Sequence, residues 1–286
     1  MEEQSGVKPA SRNFLDLEKI ISAKNPRLLK VLPGFLLRYL KRVIHQDDLN
    51  RLIRDNDDLS GLEFLDEILK DFGVKIHASG LENLSAEGRW TIASNHPLGG
   101  LDGMAMMQVA GRVRRDIVFP VNDLLLNLQN LKELFIPINK HGSNAGNVRL
   151  IDETFSSSKA ILYFPAGLCS RKQKGRIYDL EWKKSFITKA RSHQRDIIPA
   201  YIDGRNSEWF YNLARFRSRL GIKANIEMLY LVDEMFKQKD KNINIVFGKP
   251  IPYVTFDKRF TDLEWAAKLK DHVYRLNQDP GAVFTI

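Results

Sequence analysis

From Gly73 onward, short apolar and often β-branched runs alternate with stretches of helical periodicity, and this alternation restricts the possible folds more than any other feature of the chain. Val74–His77, Trp90–Ala93, Ile117–Val121, Leu134–Ile138, Ala160–Phe164, Ile197–Ile202 and Ile243–Phe247 read as strands. Between or after them, Leu101–Arg112, Asn144–Phe155, Trp182–His193, Ser207–Arg219 and Thr261–Leu276 read as helices, the last opening on a Thr261/Glu264 capping box. Such alternation calls for an α/β fold, a sheet covered by helices on both faces. Ahead of it lies a different texture. Phe14–Ile21 is a short amphipathic stretch, Pro26 and Pro33-Gly34 punctuate the chain, and Leu36, Leu40, Val43 and Ile44 recur at helical spacing opposite Arg38, Lys41, Arg42 and His45. A further helix is expected over Leu59–Phe72, stopped by Gly73. The expected layout is therefore a helical, membrane-surface segment over residues 1–72 and an α/β domain over 73–286.

Composition removes several classes of protein. With 43% hydrophobic and 28% charged residues among 286, the chain can bury a core and is not disordered. Its longest apolar candidate, Ala160 to Cys169, is far too short to cross a bilayer. An acidic start, Met1-Glu2-Glu3, and a lone cysteine, Cys169, give no sign of export and point to the cytosol. The net charge of +9 calls for an anionic partner: nucleic acid, an anionic small molecule or an anionic membrane. Seven basic residues against two acidic lie between Pro26 and Arg54.

The chemistry concentrates where a strand gives way to a helix, in Ser94-Asn95-His96-Pro97-Leu98-Gly99-Gly100-Leu101-Asp102-Gly103. Open α/β sheets place their ligands at that edge. An Asp bonded to one imidazole nitrogen fixes the tautomer and leaves the other nitrogen free to take a proton from a hydroxyl. The same residues also suit a plain turn with Asp102 capping the helix. The six histidines (His45, His77, His96, His141, His193, His272) have no metal-ligand spacing, so no metal is expected. Nothing near Cys169 would activate it, and it reads as a small buried residue.

Three more segments follow in order at strand ends: Phe135-Ile136-Pro137-Ile138-Asn139-Lys140, Phe164-Pro165-Ala166-Gly167-Leu168-Cys169-Ser170-Arg171, and Ile197-Ile198-Pro199-Ala200-Tyr201. Over roughly Gly73 to Pro252 the series resembles the glycerolipid acyltransferase superfamily typified by 1-acyl-glycerol-3-phosphate acyltransferases. The resemblance implies a mixed, largely parallel sheet flanked by helices. It implies His96 as general base, Asp102 as its orienting partner, and substrate contacts from Asn95, Lys140, Gly167, Ser170, Arg171, Lys172 and Arg205. It implies no cofactor: acyl carrier protein or coenzyme A brings the acyl thioester, and a lyso-lipid accepts it.

The departures from the family pattern bear on the acceptor. Five residues, not four, separate His96 from Asp102; Lys140 stands for an Arg, Ala166 for a Glu and Cys169 for an Arg. Those Arg and Glu positions belong to glycerol-phosphate binding, and a Lys cannot replace an Arg fork on phosphate. His-Pro-x-Gly-Gly, Phe-Pro-Ala-Gly and Asp203-Gly204-Arg205-Asn206-Ser207 resemble the hemolysin-like branch, which includes O-acyltransferases completing ornithine and glycine lipids. A carboxylate head group is then expected. Arg171, Lys172, Lys174 and Arg176 around a glycine, with Arg205, are candidates to bind it, against a solvated basic loop and a structural role for Arg205. The basic helix near Gly34–His45, and Trp209-Phe210-Tyr211 with Arg215-Phe216-Arg217 and Arg219, suit the anionic cytoplasmic face of an inner membrane, against ordinary packing on the core. Two other readings stay open: the same chemistry on lysophosphatidic acid, and a non-catalytic basic module binding membrane or nucleic acid. No nucleic-acid motif appears, and no nucleic-acid partner is expected.

Overall fold

The computed structural model describes residues 15–121, 125–137 and 145–286. Its centre is a seven-stranded sheet in which every strand read from the sequence takes part. The strands are β1 (Lys75–Ser79), β2 (Trp90–Ser94), β3 (Ile117–Val121), β4 (Phe135–Pro137), β5 (Ala160–Tyr163), β8 (Asp196–Asp203) and β9 (Asn242–Phe247), in the order β1-β9-β8-β2-β5-β3-β4. All adjacent pairs are parallel except β8 with β9, so β1 and β9 run against the other five. The carboxyl ends of β2, β5 and β8 and the start of β9 therefore share one edge. Two further strands, β6 (Arg171–Gln173) and β7 (Arg176–Tyr178), form a separate antiparallel hairpin in the basic cluster. They were not foreseen, because strands of three residues, Arg171-Lys172-Gln173 and Arg176-Ile177-Tyr178, are too short to show an apolar alternation.

The period-2 geometry of the strands divides the core. Ile92 of β2 and Ile198 of β8 pack on one face with Leu62, Leu65, Met106 and Ile245. Their neighbours Ala93 and Ile197 pack on the other with Phe186, Trp182, Trp265 and Leu269. The first face is covered by helices α5 (Gly61–Asp71) and α6 (Leu101–Val113), and the second by α8 (Ser185–Ser192) and α11 (Asp262–Arg275). The expected capping box of α11 is formed. Helices α5 and α6 touch closely at Gly111, where a Cβ would lie 2.6 Å from Leu62. Because Leu62, Phe64 and Leu65 belong to the same core as the sheet, residue 72 is not a packing boundary.

Before α5 come α1 (Leu17–Lys24), α2 (Pro26–Val31), α3 (Gly34–Val43) and α4 (Gln46–Asp55). The basic helix ends at Val43, earlier than expected. His45 takes a left-handed conformation (φ 48°) and starts α4, with its ring between Asp48 and Asp233. The remaining helices are α7 (Ala145–Ser156), α9 (Glu208–Arg219) and α10 (Leu231–Phe236). Among the described residues no helix is long and apolar enough to cross a membrane.

Candidate active site

β2 ends at Ser94, and the chain turns through His96-Pro97-Leu98-Gly99-Gly100 into α6. Gly99 carries a positive φ of 79°, which lets the longer turn fold back so that Asp102, in the first turn of α6, meets His96. His96 Nδ1 lies 2.9 Å from Asp102 Oδ2. That oxygen also accepts from the backbone N–H of Leu98 (2.8 Å) and Gly99 (3.2 Å), while Oδ1 accepts from Gly103 N–H (2.9 Å). Asp102 is fully buried, yet burial, which alone would raise its pKa, is outweighed by His96 and these N–H groups, and the net shift is downward. Burial likewise disfavours protonated His96, but Asp102 overrides it and the His96 pKa rises above its ordinary value. The ring stacks on Phe164 at the end of β5, with centroids 4.1 Å apart. Among the described residues Nε2 has no hydrogen-bond partner. An imidazole with Nδ1 fixed on a carboxylate and Nε2 available is built to accept a proton.

The β6–β7 hairpin holds the main chain of the same histidine. Ser170 N–H donates to His96 C=O (2.7 Å), and His96 N–H donates to the buried carboxylate of Asp179 (3.2 Å). Beside the turn opens a cleft of about 420 Å³, lined by Pro97, Tyr201, Arg205, Gln238, Lys241 and Tyr274 among others, at the carboxyl end of β8 and the start of β9.

Residues 19–279 match the acyltransferase family. The chain belongs to that family. It is 47% identical to the lyso-glycine lipid O-acyltransferase of Bacteroides thetaiotaomicron over 92% of its own length and 97% of the relative's. It is 46% identical to the lyso-glycine lipid O-acyltransferase of Phocaeicola vulgatus, over 92% of this chain and 95% of that one. Among solved structures it is similar to the 1-acyl-sn-glycerophosphate (LPA) acyltransferase PlsC of Thermotoga maritima, with 14% identity and a TM-score of 0.48, covering 91% of this chain and 98% of that one.

The other residues expected at this acyltransferase's site divide into three groups. Asn95, Ser170 and Arg171 are buried and already engaged. The Asn95 amide donates to Ile202 C=O (2.8 Å) and accepts from Ile202 N–H (2.7 Å), stitching the end of β2 to β8 as a strand pair would. Ser170 Oγ donates to Asp179 (2.6 Å). Arg171 Nη1 donates to Cys169 C=O (2.7 Å), and its Nη2 pairs with the fully buried Glu227 at 2.8 Å, a carboxylate that Arg217 also approaches. A guanidinium so committed is not a free head-group ligand, so the expectation for Arg171 is corrected to a structural ion pair. Lys172 and Arg205 form the second group. They remain near the surface and share Glu208, and Arg205 lines the cleft. Gly167 (φ 65°) makes the exposed turn after Phe164. Lys140 lies outside the described residues. Cys169 is buried against Phe210 and Tyr211, and burial pushes its thiol up to about 11, the inert residue foreseen. Asp179 and Lys241 were missed: neither carries a motif, and only the hairpin and the closing of the sheet bring them to His96 or the cleft, while Phe164 was read as part of the Phe-Pro-Ala-Gly block but not as the ring stacked on His96.

Proposed function

We propose that this acyltransferase moves a fatty acyl group from the thioester of acyl carrier protein or coenzyme A to the hydroxyl of a lyso-aminolipid. His96 acts as general base and Asp102 as its orienting partner. The observation that carries the reading is the His96 Nδ1–Asp102 Oδ2 bond of 2.9 Å in a turn that leaves Nε2 free among the described residues. Nε2 takes the proton of the acceptor hydroxyl as its oxygen attacks the thioester carbonyl carbon. The C–S bond then breaks, an ester forms, and the thiolate leaves with the proton returned by the imidazolium. Asp102 stabilises that imidazolium and stays ionised. This route calls on neither a metal nor a covalent enzyme intermediate.

The lyso-glycine lipid named for the two relatives supports a carboxylate-bearing acceptor. So do the side chains. The positions where phosphate-using members carry Glu and Arg are Ala166 and Cys169, both buried, and Arg171 is held by Glu227. No Arg fork for a phosphate comes from these three. Arg205 and the exposed Lys241 instead offer separate positive charges in the cleft beside Pro97, enough for a single carboxylate.

The lipid is reached at the cytoplasmic face of the inner membrane. Two segments remote in sequence join into one surface: Tyr39 of α3 and Tyr230 share a hydroxyl–hydroxyl bond of 2.9 Å, and Trp209 of α9 packs edge-on against Tyr230. Phe35, Tyr39, Trp209, Phe216 and Leu220 are exposed there, interleaved with exposed Arg38, Arg42, Arg215 and Arg219. Aromatic rings with arginines at an anionic interface support peripheral binding.

The test is kcat/KM for purified enzyme with one donor and two acceptors, lyso-glycine lipid and lysophosphatidic acid. A clear preference for the glycine lipid, abolished in a folded His96→Ala variant, is expected. Preference for lysophosphatidic acid would overturn the acceptor, and an active His96→Ala enzyme would overturn the mechanism.

A further inference from the structure

Asp179 is a second carboxylate at this site, fully buried, and the mechanism above does not use it. It follows β7. Oδ1 accepts from His96 N–H (3.2 Å) and Ser170 Oγ–H (2.6 Å), and Oδ2 accepts from Trp182 Nε1–H (2.8 Å). With Ser170 N–H on His96 C=O, the hairpin grips both backbone polar groups of the histidine. Every donor to the carboxylate is electrically neutral, and no cation pairs with it among the described residues. The nearby Lys270 Nζ is spent on the main-chain carbonyls of Asp179 (2.6 Å) and Leu180 (3.0 Å). Tyr274, also on α11, accepts from Asp179 N–H.

We propose that Asp179 is a positioning residue for His96, which seats the histidine's backbone and sets a second buried negative charge, without a counter-cation, near the imidazolium that forms in catalysis. The inference rests on His96 being the general base. Carboxylates act on that ring from two sides: Asp102 bonds Nδ1 from α6, and Asp179 lies behind the main chain. Arg171, from β6, opposes them. Both carboxylates favour the imidazolium that forms as the hydroxyl loses its proton. Three donors make ionised Asp179 tolerable where burial drives its pKa upward.

The test removes the charge and keeps the shape. In Asp179→Asn the amide oxygen still accepts from His96 and Ser170, but its NH2 faces Trp182 Nε1–H, so the variant is made with Trp182→Phe and compared with Trp182→Phe alone. Two readouts are used: the His96 titration midpoint by NMR without substrate, and the pH profile of kcat/KM with an acyl-CoA donor and lyso-glycine lipid. The midpoint and the acid limb of kcat/KM should both fall, by up to about one pH unit. kcat should drop about tenfold while KM stays within about twofold. An unmoved midpoint overturns the proposal. A midpoint that moves while the acid limb stays still upholds Asp179 and instead sinks His96 as the base. If the double variant does not fold, Ser170→Ala serves: it removes a donor that favours the ionised carboxylate, and with that charge weakened the midpoint falls, where a purely structural contact leaves it unmoved.

Discussion

Asp102→Asn separates charge from shape at the centre of the site. Asp102 takes four donors: His96, Leu98 and Gly99 on Oδ2 and Gly103 on Oδ1. The asparagine amide can satisfy the first three only with its oxygen in the Oδ2 position, which turns its NH2 onto Gly103 N–H. One buried N–H is then orphaned, at about 1–3 kcal/mol, which the melting temperature reports as a fall of several degrees. The catalytic loss is larger. With Nδ1 2.9 Å from Oδ2, imidazolium and carboxylate charges sit about 4 Å apart, and at an effective dielectric of about 20 their attraction is about 4 kcal/mol. Removing it should cost about a thousandfold in kcat/KM. The assay is thiol release from the acyl thioester in the presence of lyso-glycine lipid, followed across pH. In the wild type the His96 pKa is raised, so the base is protonated and idle below that raised value and active above it. The variant loses the largest upward pull, and its acid limb should move to lower pH. A variant that keeps more than about a tenth of wild-type kcat/KM, with its acid limb unmoved, would refute the reasoning.

Arg171→Ala should act on stability and not on acceptor binding. It strands Glu227 in the interior with only Arg217 nearby, and a loss of about 3 kcal/mol by denaturant titration is expected with KM little changed; a stable protein with a raised KM would show that Arg171 binds substrate after all. At the membrane face, Arg38→Gln, Arg42→Gln and Trp209→Ser together should lower flotation with anionic vesicles, and wild-type binding should weaken with salt. Lys41 is left in place because it already pairs with Glu18. Undiminished flotation of the triple variant would place the lipid contact elsewhere.

All seven strands of the main sheet were legible in the chain, as were α5, α6, α8, α9 and α11, because each carries its own apolar period and its own stop: Gly73 after α5, or the Thr261/Glu264 box before α11. The His96–Asp102 pair was legible too, since six positions and one positive-φ glycine suffice to bring the side chains together. Local sequence determines what short-range sterics and periodicity determine. It is silent on which strand neighbours which. The reversal of β1 and β9, which sets the start of β9 beside the end of β8 and so brings Arg205 and Lys241 to one cleft, is decided only by long-range strand pairing. The roles of the charged residues were also decided by tertiary structure. Arg171 read as a surface ligand until Glu227, 56 positions away, proved to hold it in the interior. Asp179 read as nothing until the hairpin set it against the histidine backbone. A buried charge must find its partners wherever the folded chain brings them, and sequence distance carries no record of that.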